Sequence, residues 1–163
     1  MKYIGVLASG YNVVDVDTAS ERGIVVTNVP GYSTASVAQH VFALIAALTN
    51  HAEQLSGDVH KGRWGKSKDF CFWDDTLLEL DGKTFGILGL GAIGSRVATI
   101  ARAFGMRVIA WNRTPKKING ARNCIITPHV GWASYEARKR LIEQAAKNLK
   151  GYITGNPVNI VKR

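Results

Sequence analysis

The chain has few cysteines, few prolines and no long apolar run. Its 163 residues include two cysteines and four prolines. Cys71 and Cys124 follow no CxxC spacing, so they predict neither a metal site nor a disulfide framework and are typical of thiols in a reducing cytosol. No apolar stretch is long enough to cross a bilayer. The first ten residues, MKYIGVLASG, lack the charged and apolar regions of a signal peptide. We therefore expect a cytoplasmic protein with no metal and no membrane partner.

Acidic residues are scarce in the later part of the chain. Residues 1–100 contain eight Lys or Arg and ten Asp or Glu, whereas residues 101–163 contain 13 basic residues and only two acidic ones, which leaves a net charge of +9. Such an asymmetry is found in nucleic-acid-binding domains, and it also arises when an acidic segment of a balanced protein is absent. Because no aromatic and basic motif of a known nucleic-acid reader appears, we favour the second explanation and expect no nucleic-acid partner.

Glycine and apolar residues are plentiful, and their spacing predicts an α/β fold. Hydrophobic residues make up 46% of the chain, and there are 17 glycines. Runs of β-branched residues predict strands, and apolar residues at helical spacing between capping residues predict helices. The predicted strands are residues 2–7, 24–28, 84–88, 106–111 and 124–127. The predicted helices are residues 15–22, a helix capped by Ser33 or Ser36 that runs to 48, a helix ending at 60, and residues 92–104 and 135–152.

Three packing predictions follow from the apolar pattern. The helix 36–48 is apolar or small on nearly all faces, so we expect it to be buried. The last helix should bury a stripe formed by Leu141, Ala145, Leu149 and Tyr152. Between the two helices, the aromatic residues of the segment 70–73 are expected to pack against the protein.

The motif GLGAIG has the form of a dinucleotide-binding loop. Gly89, Gly91 and Gly94 form GxGxxG between an apolar strand and a helix, which is the context that this fingerprint requires. The first glycine allows the turn, the second lets the backbone approach a pyrophosphate, and the third lets the helix pack on the strand. Backbone N–H groups near Ala92 and Ile93 would then face the phosphates. The alternative is a glycine-rich turn without a ligand.

The residues after the next strand bear on the choice between NAD and NADP. An acidic residue at this place would bind the ribose 2′-hydroxyl of NAD. The sequence has Asn112, Arg113 and Thr114 instead. Because arginine pairs well with a phosphate, NADP is slightly favoured over NAD. The alternative is that Arg113 is only a solvated loop residue.

His129 is the candidate catalytic residue. It follows the short predicted strand 124–127 and Pro128, which restricts the loop. Histidine titrates near neutral pH, so it can move the proton that accompanies a hydride transfer. The alternative is a structural histidine, which is the commoner role of a lone histidine.

The sequence resembles the D-isomer-specific 2-hydroxyacid dehydrogenases, and within them the glycerate dehydrogenase/hydroxypyruvate reductase group. The segments that carry this resemblance cover nearly the whole chain: KYIGVLASGYNVVD, ERGIVVTNVPGYSTASVAQH, FCFWDDTLLELDGKTFGILGLGAIGSRVATIARAFGMRVIAWNR and NCIITPHVGWASYEARKRLIEQAAKNLKGYITGNPVNIV.

The resemblance implies an oxidoreductase that transfers hydride between NAD or NADP and a small 2-oxo or 2-hydroxy acid, such as hydroxypyruvate, glyoxylate or glycerate. It implies that His129 protonates the substrate carbonyl oxygen and that Val37 lies beside the nicotinamide. It also implies a substrate-carboxylate loop at Ala8, Ser9 and Gly10. Members usually form homodimers, with the helix 36–48 at the interface.

The sequence departs from the family pattern in two blocks. Most of a substrate domain is expected to be missing before Met1, and an internal block between Lys117 and Asn119. The family's INxxRG and GxDVxxxEP motifs, which supply a substrate-binding arginine and a glutamate partner for the histidine, do not occur.

We therefore predict a partial Rossmann-like, doubly wound parallel sheet, the first half of a nucleotide domain, with remnants of a substrate domain. Residues 1–32 would belong to the substrate domain, residues 33–132 to a partial NAD(P)-binding domain, and residues 133–163 to a C-terminal helix and tail that return to the substrate domain. A non-catalytic dinucleotide-binding fragment of such an enzyme is the alternative.

Overall fold

The computed structural model describes residues 1–111 and 127–161, and these form an α/β protein with two small parallel sheets. The chain divides into two compact units, one containing residues 1–37 and the described residues from 130 onward, the other containing the described residues between 38 and 129. The elements in chain order are β1 (Tyr3–Gly5), α1 (Val16–Glu21), β2 (Val25–Thr27), α2 (Thr34–Asn50), α3 (Ala52–His60), a 3₁₀ turn (Trp64–Lys66), β3 (Thr84–Leu88), α4 (Ala92–Ala103), β4 (Arg107–Trp111) and α5 (Tyr135–Ile153). The predicted boundaries near 32 and 132, and their assignment to two domains, stay predictions.

The first unit is built on the parallel pair β1 and β2. The two strands pair from Tyr3 with Val25 to Gly5 with Thr27. The short helix α1 connects them: the Asp15 side chain caps it by accepting from the Thr18 backbone N–H, and Gly23 after the helix takes a φ of +62°.

The helix α5 buries the predicted stripe only in part: Leu141 is buried, and Ala145 and Tyr152 are half-buried. Leu149 is 45% exposed, whereas Asn148 is 1% exposed, so the predicted burial of Leu149 is wrong. The Asn148 Nδ2 donates to the Asn28 carbonyl at 2.8 Å, and its Oδ1 accepts from Gln144 and Asn159, each at 3.0 Å. These bonds explain why Asn148 is buried, because a buried amide is tolerated in the interior when its hydrogen bonds are made.

The second unit packs helices on one face of the parallel pair β3 and β4. These strands pair from Thr84 with Arg107 to Leu88 with Trp111. The core consists of Ala38, Phe42, Ile87, Val97, Ala98, Ala101 and Met106. Side chains of the strand residues Leu88, Ile109 and Trp111 are 73%, 59% and 56% exposed. Parallel sheets are ordinarily covered on both faces, whereas the described residues leave these side chains of the pair exposed.

The prediction of a fully buried α2 is wrong. Within the described residues, only Ala38 and Phe42 of this helix are buried, and Leu48 is 40% exposed. A helix that is apolar all round needs neighbours on every side, and the described strands and α4 occupy one side only. Ser36 does not act as a predicted cap either, since its hydroxyl donates to the Gly131 carbonyl at 2.7 Å.

The aromatic segment 70–73 is also more exposed than predicted. Phe70 is 90% exposed and Trp73 is 61% exposed, so their predicted packing is wrong. Phe72 is half-buried, with the Arg63 guanidinium 4.3 Å from its ring centre. Arg63 also binds both carboxylate oxygens of Asp74, and this hydrogen bonding lowers the pKa of the Asp74 carboxyl. The segment is therefore held by an ion pair.

Two further features concern membranes and metals. No helix in residues 1–111 and 127–161 has the length and hydropathy needed to span a membrane. Within the same residues, no group of three potential metal-ligating side chains comes together.

Candidate functional site

The GLGAIG loop connects β3 to α4, and each of its glycines has a distinct geometry. Gly89 has a φ of +99°, which disfavours other residues, and its N–H donates to the Trp111 carbonyl at 2.8 Å. At Gly94, an added Cβ would lie 2.1 Å from the Gly89 carbonyl oxygen, so only glycine permits this approach of helix to turn. Gly91 faces open space, with no atom within 4 Å of an added Cβ. The loop is therefore tightly folded on one side and open on the other.

The first turn of α4 presents unpaired backbone donors. Gly91 is the N-cap and makes no side-chain capping bond, and the first turn contains no acidic residue. The first bond of the helix runs from the Ser95 N–H to the Gly91 carbonyl at 2.8 Å. The N–H groups of Ala92 and Ile93 have no acceptor within the described residues. Together with the helix dipole, they can bind an anion.

The predicted 2′-phosphate residues follow β4. Because β3 and β4 are parallel and Leu88 pairs with Trp111, both strands end at the same sheet edge. The chain therefore leaves β4 on the side where the glycine loop begins. Asn112, Arg113 and Thr114 themselves lie outside the described residues, as does most of the predicted strand 124–127.

The predicted substrate loop, Ala8 to Gly10, follows β1 and is fixed to the end of β2. The Ala8 carbonyl accepts from the Val29 N–H at 3.0 Å, and the Ser9 hydroxyl donates to the Val29 carbonyl at 3.1 Å. The Asn28 side chain donates to the Ser9 carbonyl at 2.7 Å. Among the described residues, none accepts from the backbone N–H groups of Ser9 and Gly10. The loop thus offers two fixed donors, which suit a carboxylate.

His129 is exposed and has a left-handed backbone, with a φ of +57°. Its N–H donates to the Thr127 carbonyl at 2.8 Å. The ring makes no hydrogen bond or ion pair with any residue that the structure describes. The imidazole is therefore accessible to a substrate.

Comparison with known proteins assigns the chain to a family. Residues 1–162 match the family model of the D-isomer specific 2-hydroxyacid dehydrogenase catalytic domain. The chain belongs to this family. It is 32% identical to a hydroxypyruvate reductase of Blautia hydrogenotrophica over 254 residues, covering 100% of this chain and 79% of the relative. It is 27% identical to a glycerate dehydrogenase of Methylorubrum extorquens over 248 residues, covering 99% of this chain and 79% of that relative. Both alignments are longer than the chain, so each relative contains residues without a counterpart here.

Solved structures agree with the fold. A 2-hydroxyacid dehydrogenase from Ketogulonicigenium vulgare superposes with a TM-score of 0.82 at 19% identity, covering 99% of this chain and 78% of that one. An NADPH-dependent glyoxylate/hydroxypyruvate reductase from Sinorhizobium meliloti, in complex with NADP and malonate, has a TM-score of 0.75 at 20% identity, covering 99% of this chain and 77% of that one. The resemblance to this family and the predicted partial Rossmann-like fold are confirmed. The chain carries the fold of the 2-hydroxyacid dehydrogenases.

The structure distributes the predicted site residues of this dehydrogenase chain between the two units. The glycine loop and His129 lie in the unit formed by residues 38–129. The loop Ala8 to Gly10 lies in the other unit, as does Val37, which is half-buried in the first turn of α2. Their roles stay predictions.

Sequence reasoning missed two sets of residues beside these loops. Asn28 supports the loop that is predicted to bind substrate, and its place directly after a buried strand was the only indication of this in the sequence. His40 and Thr127 form a hydrogen bond of 3.3 Å between Nε2 and Oγ1, across 87 positions of sequence. Both residues lie in segments that carry the family resemblance, but nothing in either segment indicates that the two side chains meet.

Proposed function

We propose that the chain binds a nicotinamide dinucleotide at the glycine loop and interconverts a small 2-oxo acid and its 2-hydroxy acid, such as hydroxypyruvate and glycerate or glyoxylate and its reduced form. The observation that carries the proposal is the fit of the loop to a pyrophosphate. Gly94 lets α4 approach the turn, the open side of Gly91 leaves room for phosphate oxygens, and the N–H groups of Ala92 and Ile93 have no acceptor within the described residues. The similarity to a hydroxypyruvate reductase and a glycerate dehydrogenase supports the substrate class.

The cofactor is either NAD or NADP, with NADP slightly favoured. The sequence places Arg113 between Asn112 and Thr114 after β4, where no carboxylate is available to repel a 2′-phosphate. The similar reductase from Sinorhizobium meliloti was crystallised with NADP, which supports the preference.

In the proposed reaction, the predicted site residues have different roles. The backbone N–H groups of Ser9 and Gly10 hold the substrate carboxylate, and Val37 bounds the nicotinamide position. The bound cofactor supplies the hydride. His129 donates its ring proton to the carbonyl oxygen of the 2-oxo acid, and takes it back in the reverse direction. Because the arginine and glutamate motifs of the family are absent from the sequence, we expect turnover to be slow.

The reaction is tested with purified full-length chain, NADPH or NADH, and hydroxypyruvate, followed at the nicotinamide absorbance. Turnover that disappears in His129→Ala supports the proposal, with His60→Ala on α3 as the matched control. Cofactor binding without any turnover above the His129→Ala background would instead favour the alternative, a non-catalytic dinucleotide-binding fragment.

We also propose that the chain forms a homodimer through α2. The outward side of this helix is unusually apolar for a surface, with Ala43, Ala46, Ala47 and Leu48 all exposed. A charged residue there, as in Ala47→Glu, should shift the mass measured by light scattering from dimer to monomer. An unchanged mass would contradict this interface.

The two compact units support the assignment of different parts of the chain to cofactor and to substrate binding. We propose that residues 33–132 form the partial nucleotide-binding part and that residues 1–32 and 133–163 derive from the substrate part. Bound cofactor should then slow amide exchange mainly at the start of α4. Protection confined to β1 and β2 would contradict the assignment.

A further inference from the structure

We propose that His40 and Thr127 are positioning residues for His129, which they hold in its left-handed backbone conformation. The inference rests on the proposed function only in giving His129 a catalytic role. The tether itself is a feature of the described unit that contains residues 38–129.

The backbone of His129 needs such support. A φ of +57° is unfavourable for a residue with a Cβ, and such conformations persist only where surrounding contacts impose them. The His129 ring makes no hydrogen bond with a described residue, so ring hydrogen bonding does not explain this backbone conformation. The one described hydrogen bond at this residue is from its N–H to the Thr127 carbonyl, at 2.8 Å. The conformation of His129 therefore depends on where Thr127 is held.

Thr127 is in turn held by α2. Its hydroxyl is hydrogen bonded to the His40 Nε2 at 3.3 Å, and both residues are half-buried. His40 stands between Ala38 and Phe42, which are 0% and 9% exposed in the core of this unit. The imidazole therefore projects from a helix turn that the core fixes. Pro128 lies between the tethered residue and His129, and its ring removes one rotatable backbone angle from the connection.

The consequence is a short, restrained path from the core to the exposed ring of His129. Without the Thr127 hydroxyl, the His129 backbone should relax to an ordinary negative φ, which would carry the imidazole away from its position. Since a misplacement of about 1 Å can cost about 100-fold in rate, a contact that never touches substrate can control turnover.

Backbone amide relaxation of His129 in ¹⁵N-labelled full-length chain tests the tether directly. We expect an order parameter of about 0.85 in the wild type and below about 0.6 in Thr127→Val and His40→Ala. Thr127→Ser and His40→Gln keep a hydroxyl and a nitrogen near the same positions and should stay close to the wild type. Thr49→Val is the matched control, because its hydroxyl bonds the Ile45 carbonyl within α2 and is not part of the tether.

An unchanged order parameter in a folded Thr127→Val chain would overturn the proposal. If Thr127→Val fails to fold, the comparison of His40→Ala with His40→Gln decides, since equal mobility at His129 in these two variants would likewise overturn it.

Turnover provides the second measurement and separates this inference from the proposed function. Thr127→Val should lower kcat by about 10- to 100-fold with KM and cofactor affinity unchanged, and Thr127→Ser should retain the wild-type kcat. If the wild type shows no turnover, the proposed reaction fails, but the relaxation data still test whether His40 and Thr127 restrain His129. If the wild type turns over and Thr127→Val has the same kcat, the positioning role fails and the proposed reaction stands.

Discussion

Three glycine-to-alanine variants distinguish the structural and ligand-binding roles of the GLGAIG loop. In Gly94→Ala, the new Cβ would lie 2.1 Å from the Gly89 carbonyl oxygen and 3.3 Å from the Ile87 Cγ2. Backbone atoms cannot yield as a flexible side chain can, so α4 must move away from the turn. Such overpacking costs about 1–3 kcal/mol of unfolding free energy. The same displacement moves the Ala92 and Ile93 N–H groups, so cofactor affinity should fall by at least about tenfold, which corresponds to about 1.4 kcal/mol.

Gly91→Ala should have the opposite balance of effects. Gly91 has an ordinary φ of −78° and nothing within 4 Å of an added Cβ, so the variant should fold with near wild-type stability. Its methyl group would occupy the open side, where we place the pyrophosphate, and affinity should fall. Gly57→Ala within α3 is the control, because it also meets no neighbour and should gain about 0.5–1 kcal/mol of stability without altering affinity.

The assays are denaturant unfolding, for the free energy, and titration calorimetry with NADPH and NADH, for affinity. Gly94→Ala with wild-type stability would refute the close approach of α4 to the turn. Gly91→Ala with wild-type affinity would refute the placement of the pyrophosphate against this loop.

Three further predictions concern stability and association. Because Arg63 lowers the pKa of Asp74, this carboxylate stabilises the fold above the ordinary aspartate pKa, and its contribution is lost as the pH falls through the lowered value. Asp74→Asn should therefore flatten that part of the plot of unfolding free energy against pH. An unchanged slope would contradict the ion pair. Asn148→Ala should lower the free energy of unfolding by about 1–3 kcal/mol, because it leaves the Asn28 carbonyl without its partner, whereas Leu149→Ala should change it by no more than about 0.5 kcal/mol. Denaturant unfolding measures both values, and the reverse order would contradict the observed burial of Asn148. Ile109→Lys, on the exposed face of β4, should reduce concentration-dependent association in sedimentation experiments, and an identical profile would show that this sheet face is not a contact surface.

Most of the secondary structure could be predicted because its signals are local. The strand β3 agrees with its predicted bounds, and α4 ends one residue before the predicted end. The helix α1 lies within its predicted range of 15–22, between a capping aspartate and a glycine with positive φ. The glycine loop was equally predictable, since turn, helix start and close packing each require glycine at a fixed position.

The packing of individual faces could not be predicted in the same way. Hydrophobicity favours Leu149 over Asn148 for burial, but the decisive hydrogen bonds come from Asn28 and Asn159, which are distant along the chain or beyond the helix. The burial of α2 depends on how many neighbours the fold supplies, and a helix of such composition does not reveal that number. Phe70 and Trp73 are exposed although their side chains are apolar, and composition alone does not reveal this.

The candidate site shows the same distinction. Residues within one motif, such as Gly89 to Gly94, could be predicted from their spacing and from the strand and helix on either side of them. The contact that we propose to support His129 was not predicted, because the hydrogen bond joins His40 on α2 to Thr127, 87 positions further along the chain, and a histidine on a helix has many possible roles.

The most direct measurement of the central claim is titration calorimetry of folded full-length chain with NADPH and NADH, repeated for Gly91→Ala. The account predicts saturable binding of at least one of the two cofactors, and a clear loss of affinity in the folded variant. A folded wild-type chain that binds neither cofactor would contradict the account.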